Sequence, residues 1–155
     1  MDGSNNNIQG TTIIDDNYCA VKITGSNNIF NNSLIINTYN TAVDTGLIHL
    51  AGSGNRFTHN WIDVYNITGK VFYSTSEDNL IYDNRLNVSQ NSWLMNTTTL
   101  TNFSITPQAG IRIWTNGTQV GGNFYANSTG SFSNTCTDLN TDGFCDGIFI
   151  LSTFG

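Results

Sequence analysis

The sequence predicts an all-β chain, a coil of short parallel strands stacked turn upon turn. Three observations carry that expectation. A segment anchored on asparagine recurs at spacings of 22, 27 and 24 residues, the period of stacked supersecondary units. Within the recurrences apolar and polar residues alternate, as in Val21-Lys22-Ile23, Ile48-His49-Leu50 and Ile111-Arg112-Ile113. That is the period-two pattern of a strand with one buried face. The composition also suits strands and corners: 24 Asn, 21 Thr and 16 Ile among 155 residues, with one proline and 10% charged residues. Helical bundles are disfavoured, because β-branched residues and Asn dominate. The nine phenylalanines and 38% hydrophobic content supply a core and disfavour simple disorder. A net charge of −6 with two lysines excludes the basic patch of a nucleic-acid binder.

The elements follow from the anchors. Asn6, Asn28, Asn55 and Asn79 align as one column, and Thr118, 39 residues further on, takes the place of a fifth. Two residues after each anchor stand Ile8, Phe30, Phe57, Ile81 and Val120, the single inward residue of a short strand. Five residues after the anchors stand Thr11, Ser33, Asn60, Asn84 and Asn123, a second polar column. The following strand carries Ile13, Ile35, Ile62, Leu86 and Tyr125. Upstream, Val21, Ile48, Phe72 and Ile111 lie seven residues before their anchors, and Ile23, Leu50, Ser74 and Ile113 lie five before. Ser, Asn and Gly separate these strands as turn residues. Asn suits the corners because it tolerates left-handed backbone, and stacked amides can bond to one another as a ladder. Leucine-rich repeats share the period, but their Leu-x-x-Leu-x-Leu frame is absent.

The recurring Asn-x-Ile/Phe-x-x-Asn-x-Ile/Leu frame over residues 5–125 resembles the parallel β-helix repeats of the NosD-like family, found in secreted and archaeal surface proteins. Gly121-Gly122-Asn123-Phe124-Tyr125, followed by the acidic stretch from Cys136 to Asp146, is similar to the way related chains close their coil. The resemblance implies a right-handed parallel β-helix (solenoid) of about five coils over residues 1–125, with an inserted loop at about 87–110. Residues 126–155 are expected to form a C-terminal acidic loop and a terminal strand at Ile148-Phe149-Ile150-Leu151.

One constellation carries chemistry. Asp138-x-Asn140-x-Asp142-Gly143-x-x-Asp146 sets oxygen ligands at positions 1, 3, 5 and 9 of a calcium-type loop, with Gly at position 6 for the sharp turn. Ca²⁺ would be held by Asp138, Asn140, Asp142, the Phe144 carbonyl and Asp146; the alternative is an acidic turn without an ion. Position 12 is Phe149 rather than Glu, which excludes an EF-hand. Cys136 and Cys145, nine positions apart, are expected to form a local disulfide that tightens this loop, with Cys19 a small core residue.

Asn-x-Ser/Thr sequons stand at Asn31, Asn66, Asn87, Asn96, Asn102, Asn116 and Asn127. They point to a glycosylated protein at the cell exterior. Met1-Asp2-Gly3 leads directly into polar sequence with no signal-peptide pattern, so export implies a signal removed or lying outside this chain. No apolar run is long enough to span a membrane.

His49 and His59 stand alone at outward positions, and the Met- and His-rich pattern of a copper site is missing. The outward residues Lys22, His49, Tyr73 and Arg112 lack the paired carboxylates of a glycosidase. Asp15, Asp16, Asp44, Asp63 and Asp83 scatter over turns. Trp61, Trp93, Trp114, Tyr65, Tyr73 and Tyr82 are candidate sugar-stacking platforms. The expected function is therefore that of an extracellular structural or adhesive surface protein. It would be a glycosylated rod or filament subunit, associating end to end with itself or with a neighbouring surface protein. A carbohydrate-binding module is the alternative, and a polysaccharide lyase or hydrolase a more distant one.

Overall fold

The computed structural model describes residues 1–15, 19–38, 42–43, 46–65, 68–88, 92–97, 101–126 and 132–147. The chain makes five passages, each laying down strands in the same order. The first gives β1 (Asn7–Gln9), β2 (Thr12–Asp15) and β3 (Val21–Ile23). The second gives β4 (Ile29–Asn31), β5 (Leu34–Asn37), the two-residue β6 (Ala42–Val43) and β7 (Ile48–Leu50). The third gives β8 (Arg56–Thr58), β9 (Trp61–Val64) and β10 (Thr68–Ser74), and the fourth β11 (Asn79–Tyr82), β12 (Arg85–Val88) and β13 (Ser92–Thr97). The fifth gives β14 (Thr101–Asn102), a hairpin of β15 (Gln108–Ala109) and β16 (Gln119–Val120), and β17 (Phe124–Ala126). One helical turn, α1 (Phe132–Thr135), follows.

Strands pair with their counterparts in the next passage rather than with their neighbours in the chain. The first sheet runs β1-β4-β8-β11-β14 and the second β2-β5-β9-β12-β17. The third runs β3-β7-β10-β13, with β6 beside the start of β10. Every pairing in these three sheets is parallel; the β15–β16 hairpin is antiparallel. The protein is thus all-β, built of parallel sheets, and among the described residues no sheet closes on itself.

Register keeps like residues in line. Phe30 lies opposite Phe57 and Phe57 opposite Ile81; Ile35, Ile62 and Leu86 follow one another in the second sheet; Val21, Ile48 and Phe72 do so in the third. All nine are buried. Phe30 and Phe57 stack with ring centroids 4.9 Å apart and parallel planes, and Phe72 meets Phe57 edge-on at 5.6 Å. Such pairs add roughly 0.5–1.5 kcal/mol beyond the area they bury.

The fifth passage departs from the sequence reading. Thr101, not Thr118, continues the column after Asn79, in the β11–β14 pairing. Phe103 then closes the core edge-on against Phe72 at 5.7 Å. The stretch 87–110, expected as an inserted loop, therefore contributes β13 and β14 to the sheets. The segment that leaves the frame is 104–122, with its hairpin. Ile111 and Ile113 leave the upstream column with it: Ile111 is 78% exposed, and Met95 and Thr97 stand in register beside Phe72 and Ser74. Thr101 lacks the Asn five residues on that Thr118 has in Asn123, because the 104–122 loop separates it from β17, so the 22-residue step was hidden. Tyr125 does pair with Leu86. The expected terminal strand at 148–151 lies outside the described residues.

One core position is at odds with its neighbours. Asn37 pairs with Val64, which pairs with Val88, and both valines are buried. Asn37 is fully buried too, and among the described residues neither end of its amide has a hydrogen-bond partner. An unsatisfied buried amide costs about 1–3 kcal/mol. Asn37→Val should therefore raise stability by an amount of that order, measured by chemical denaturation. A neutral or destabilising result would show that the amide is satisfied, by water for example.

Candidate functional site

The two polar columns are hydrogen-bonded ladders. In the first, Asn6 donates its backbone N–H (2.9 Å) and its side-chain amide (3.1 Å) to Asn28 Oδ1, and Asn28 does the same to Asn55 Oδ1 at the same two distances. The backbone N–H of Asn55 then donates to Asn79 Oδ1 at 2.9 Å. The Asn79 amide turns to Ser74 Oγ and the Ser76 carbonyl. In the second ladder the backbone N–H groups of Thr11, Ser33, Asn60 and Asn84 donate in turn to Ser33 Oγ and to the Oδ1 atoms of Asn60, Asn84 and Asn123. Asn28, Asn55, Asn60, Asn79 and Asn84 are fully buried.

Left-handed backbone falls not on the ladder residue but one position before it. Asn5, Asn27, Gly54 and Asp78 precede the first ladder with φ between 56° and 68°. Gly10, Asn32, His59 and Asp83 precede the second with φ between 50° and 66°. The sharp corner turns each ladder amide toward the next passage, which divides the two tasks the sequence reading gave to one residue.

The fifth passage ends in a cap. Cys136 and Cys145 form a disulfide with Cα atoms 5.6 Å apart, while Cys19 is a free, partly buried thiol. Arg112, on the 104–122 loop and nearly buried, reaches across to the disulfide loop. Its guanidinium donates to the carbonyls of Gln119 (2.6 Å), Gly143 (2.6 Å) and Asp142 (3.0 Å), and it lies over the Phe144 ring at 4.2 Å. A Cβ on Gly143 would collide with that guanidinium, so glycine there fits the clamp as well as the turn.

Within the acidic loop the carboxylates accept from the loop's own amides. Asp138 Oδ2 accepts from Gly143 N (2.8 Å), Asp142 Oδ1 from Phe144 N (2.8 Å), and Asp146 Oδ2 from Leu139 N (2.7 Å). Asn140 donates to Asp142 Oδ2 at 3.0 Å. Asp138 Oδ1 is buried without a partner among the described residues. The oxygen donors suit a hard cation, yet among the described residues no three His, Cys, Asp or Glu side chains converge as metal donors.

Two hollows flank Phe144. One, of about 360 Å³, is walled by Arg112, Trp114, Thr115, Phe124, Ser133 and Asp138. The other, of about 390 Å³, has walls that include Phe103, Ile105, Pro107, Tyr125 and Phe132. Trp114 leans against Phe124 with centroids 5.7 Å apart. Burial pushes the Tyr125 hydroxyl up to about 12, against the opposing hydrogen bond from Asn123.

The other candidates disperse. Arg85 covers the Trp61 ring at 4.3 Å while pairing with Asp63 at 3.1 Å, and Lys70 lies over Tyr73 at 4.8 Å. Tyr82 is buried and Tyr65 is 48% exposed. The side chain of Trp93 lies outside the described residues. Lys22, His49 and Tyr73 share one row of the third sheet, where burial, then the Lys22 charge, lowers the His49 pKa. Of the sequons, Asn102 and Asn116 are exposed, whereas Asn31 and Asn87 are half-buried. The Ser33 hydroxyl of the Asn31 sequon is buried in the second ladder. Asn66, Asn127 and the Asn96 side chain lie outside the described residues, as do Asp16 and Asp44.

Sequence reasoning missed one pair. Asp83 is not a solvated turn residue: it is fully buried, with Oδ2 2.8 Å from His59 Nε2. The two stand 24 residues apart, one period, in the corner column ahead of the second ladder. An acid and a base one step apart in a single column are the signal that could have found them.

Among the described residues no helix is long and apolar enough to cross a membrane. No family model, curated protein or solved structure matches the chain.

Proposed function

We propose that the three sheets are the faces of a right-handed parallel β-helix of the NosD-like kind, serving outside the cell as a structural or adhesive rod. Parallel strands joined by crossovers favour the right-handed path. Pairing of each passage only with its neighbours is the energetics of a one-dimensional scaffold. The disulfide suits an oxidising compartment, and the exposed Asn102 and Asn116 are the sequons best placed to carry glycans.

The observation that carries the reading is the first ladder at its outer edge. Among the described residues no donor reaches Asn6 Oδ1, the acceptor that Asn28, Asn55 and Asn79 each present to the passage before them. A further passage, from chain preceding this segment, another copy or a neighbouring surface protein, would extend ladder and sheets together. Calcium belongs to the same proposal: Asp138, Asn140, Asp142, Asp146 and the Phe144 carbonyl would hold it, and it would offset two of the loop's three negative charges.

Electron microscopy and sedimentation of the purified protein, with Ca²⁺ and with chelator, test the rod. Concentration-dependent end-on assembly is expected, weakened by Asn6→Ala. Dispersed monomers at every concentration in both conditions would overturn self-assembly. A second reading, carbohydrate binding, is favoured by Trp114 and Phe124 on the wall of the 360 Å³ hollow. Glycan-array hits abolished by Trp114→Ala would promote it over the rod.

A further inference from the structure

The pair formed by His59 and Asp83 has features that no part of the scaffold requires. Both residues sit in the left-handed backbone common to their corner column, φ 57° and 52°, which His and Asp tolerate better than most residues. Asp83 is fully buried, and apart from His59 neither of its carboxylate oxygens has a partner among the described residues. A buried carboxylate without a cation nearby is strongly disfavoured. The same His59 nitrogen that meets Asp83 also meets the carbonyl of Ile111 at 3.2 Å, 52 positions along the chain. The other ring nitrogen contacts Thr58 Oγ1 at 3.0 Å. One imidazole thus joins a corner of the third passage, a corner of the fourth, and the 104–122 loop.

That loop supplies walls to both hollows: Arg112, Trp114 and Thr115 to one, Ile105 and Pro107 to the other. Backbone bonds from Ile105 to Gly121 (2.9 Å) and from Gly110 to Thr118 (2.9 Å) shape the loop itself, and the Arg112 clamp ties it to the disulfide loop. The His59–Ile111 contact, with Trp114 against Phe124 and the Asp83 N–H bonded to the Gly122 carbonyl (2.8 Å), fastens the loop to the stacked passages.

We propose that His59 and Asp83 form a pH-dependent latch that fastens the 104–122 loop, and with it a wall of each hollow, to the corner between the first and second sheets. Protonated, the imidazole donates from both nitrogens and balances the buried carboxylate. Neutral, it leaves Asp83 without a counter-charge, and the corner relaxes by opening at Ile111, which is already mostly exposed. Asp83 is the one charged group facing the ring among the described residues; the other facing groups are the Thr58 hydroxyl and the Ile111 carbonyl. The Asp83 contact raises the His59 pKa, against the opposing effect of burial. With a folded-state pKa above the unfolded one, the latch contributes fully below about pH 6.5 and is lost as pH rises through the higher folded value.

NMR titration of the intact protein between pH 5 and 9 tests this. The His59 ring signals and the backbone amides of Ile111, Arg112 and Gly117 should share one midpoint above the ordinary histidine value. Asp83→Asn should lower the proton affinity of His59 at least tenfold. His59→Gln should abolish the shared titration while the ladder amides keep their shifts. Loop amides that do not follow His59, or a His59 midpoint unmoved by Asp83→Asn, would overturn the latch. Should Asp83→Asn not fold, persistence of the loop titration in His59→Gln overturns it by itself.

Discussion

Truncating Phe57 to alanine is expected to cost about 3–5 kcal/mol, the range for a buried Phe whose surroundings relax only partly. Phe57 is fully buried at the centre of an aromatic file: Phe30 stacks on it from the passage before, and Phe72 meets it edge-on from the third sheet. Ile81 follows Phe57 in the same column. The neighbouring strands are held by backbone pairing on both sides of β8, so they cannot move in to fill the space. Phe57→Leu should recover more than half of the loss, because it returns most of the buried volume. Urea denaturation of the three proteins checks this, read from the midpoint at constant slope. A Phe57→Ala loss below about 1 kcal/mol would mean that the core is loosely packed and the stacked register does not hold in solution.

Asn84→Ala should be comparably severe for a different reason. The Asn84 amide donates to the carbonyls of Phe57 (2.8 Å) and Tyr82 (3.0 Å) and to Asn123 Oδ1 (3.0 Å), and its oxygen receives the backbone and side-chain N–H groups of Asn60. Alanine removes all of these inside the protein, where each orphaned group costs about 1–3 kcal/mol. A total loss above about 3 kcal/mol is expected, after relaxation and entry of water. Asn84→Asp discriminates a ladder from simple packing. The carboxylate still accepts from Asn60 but turns an oxygen toward the Phe57 and Tyr82 carbonyls and Asn123 Oδ1. Its loss should shrink as pH falls, because a protonated carboxyl can donate one of the missing bonds. An Asn84→Asp protein with pH-independent stability would argue against the ladder.

The periodicity made these two columns legible in advance. Asn6 to Asn79 could be aligned because an amide needed at every step leaves the same letter at every step; Thr11 to Asn123 followed from the fixed offset to those anchors, Ser33 accepting through its hydroxyl where later steps use an amide. Phe30, Phe57 and Ile81, and the row Val21, Ile48 and Phe72, were legible for the same reason. The fifth passage was not. Thr101 fills the anchor with a hydroxyl that donates to Ser74 Oγ at 2.9 Å, a local solution that leaves no repeated letter. Arg112 read as an outward strand residue because Ile111 and Ile113 imitate the alternation of the true third-sheet strands. Its task as a clamp on the Asp142 and Gly143 carbonyls depends on how the loop folds back, which alternation does not encode. The burial of Asp83 likewise depends on a loop nearly thirty residues downstream.

The passage-on-passage pairing also bears on how the chain would respond to tension. In the proposed coil, a pull applied at the two ends would run across the strands, along the hydrogen bonds that join them, and open them a few at a time, as a zipper opens. One passage peels away before the next is loaded, and each release frees 22 to 27 residues, about 75–95 Å of extended chain. Such a body yields in equal increments at modest force and rewinds from whatever passages remain. The disulfide lies wholly within the last segment, so it shortens only the final increment.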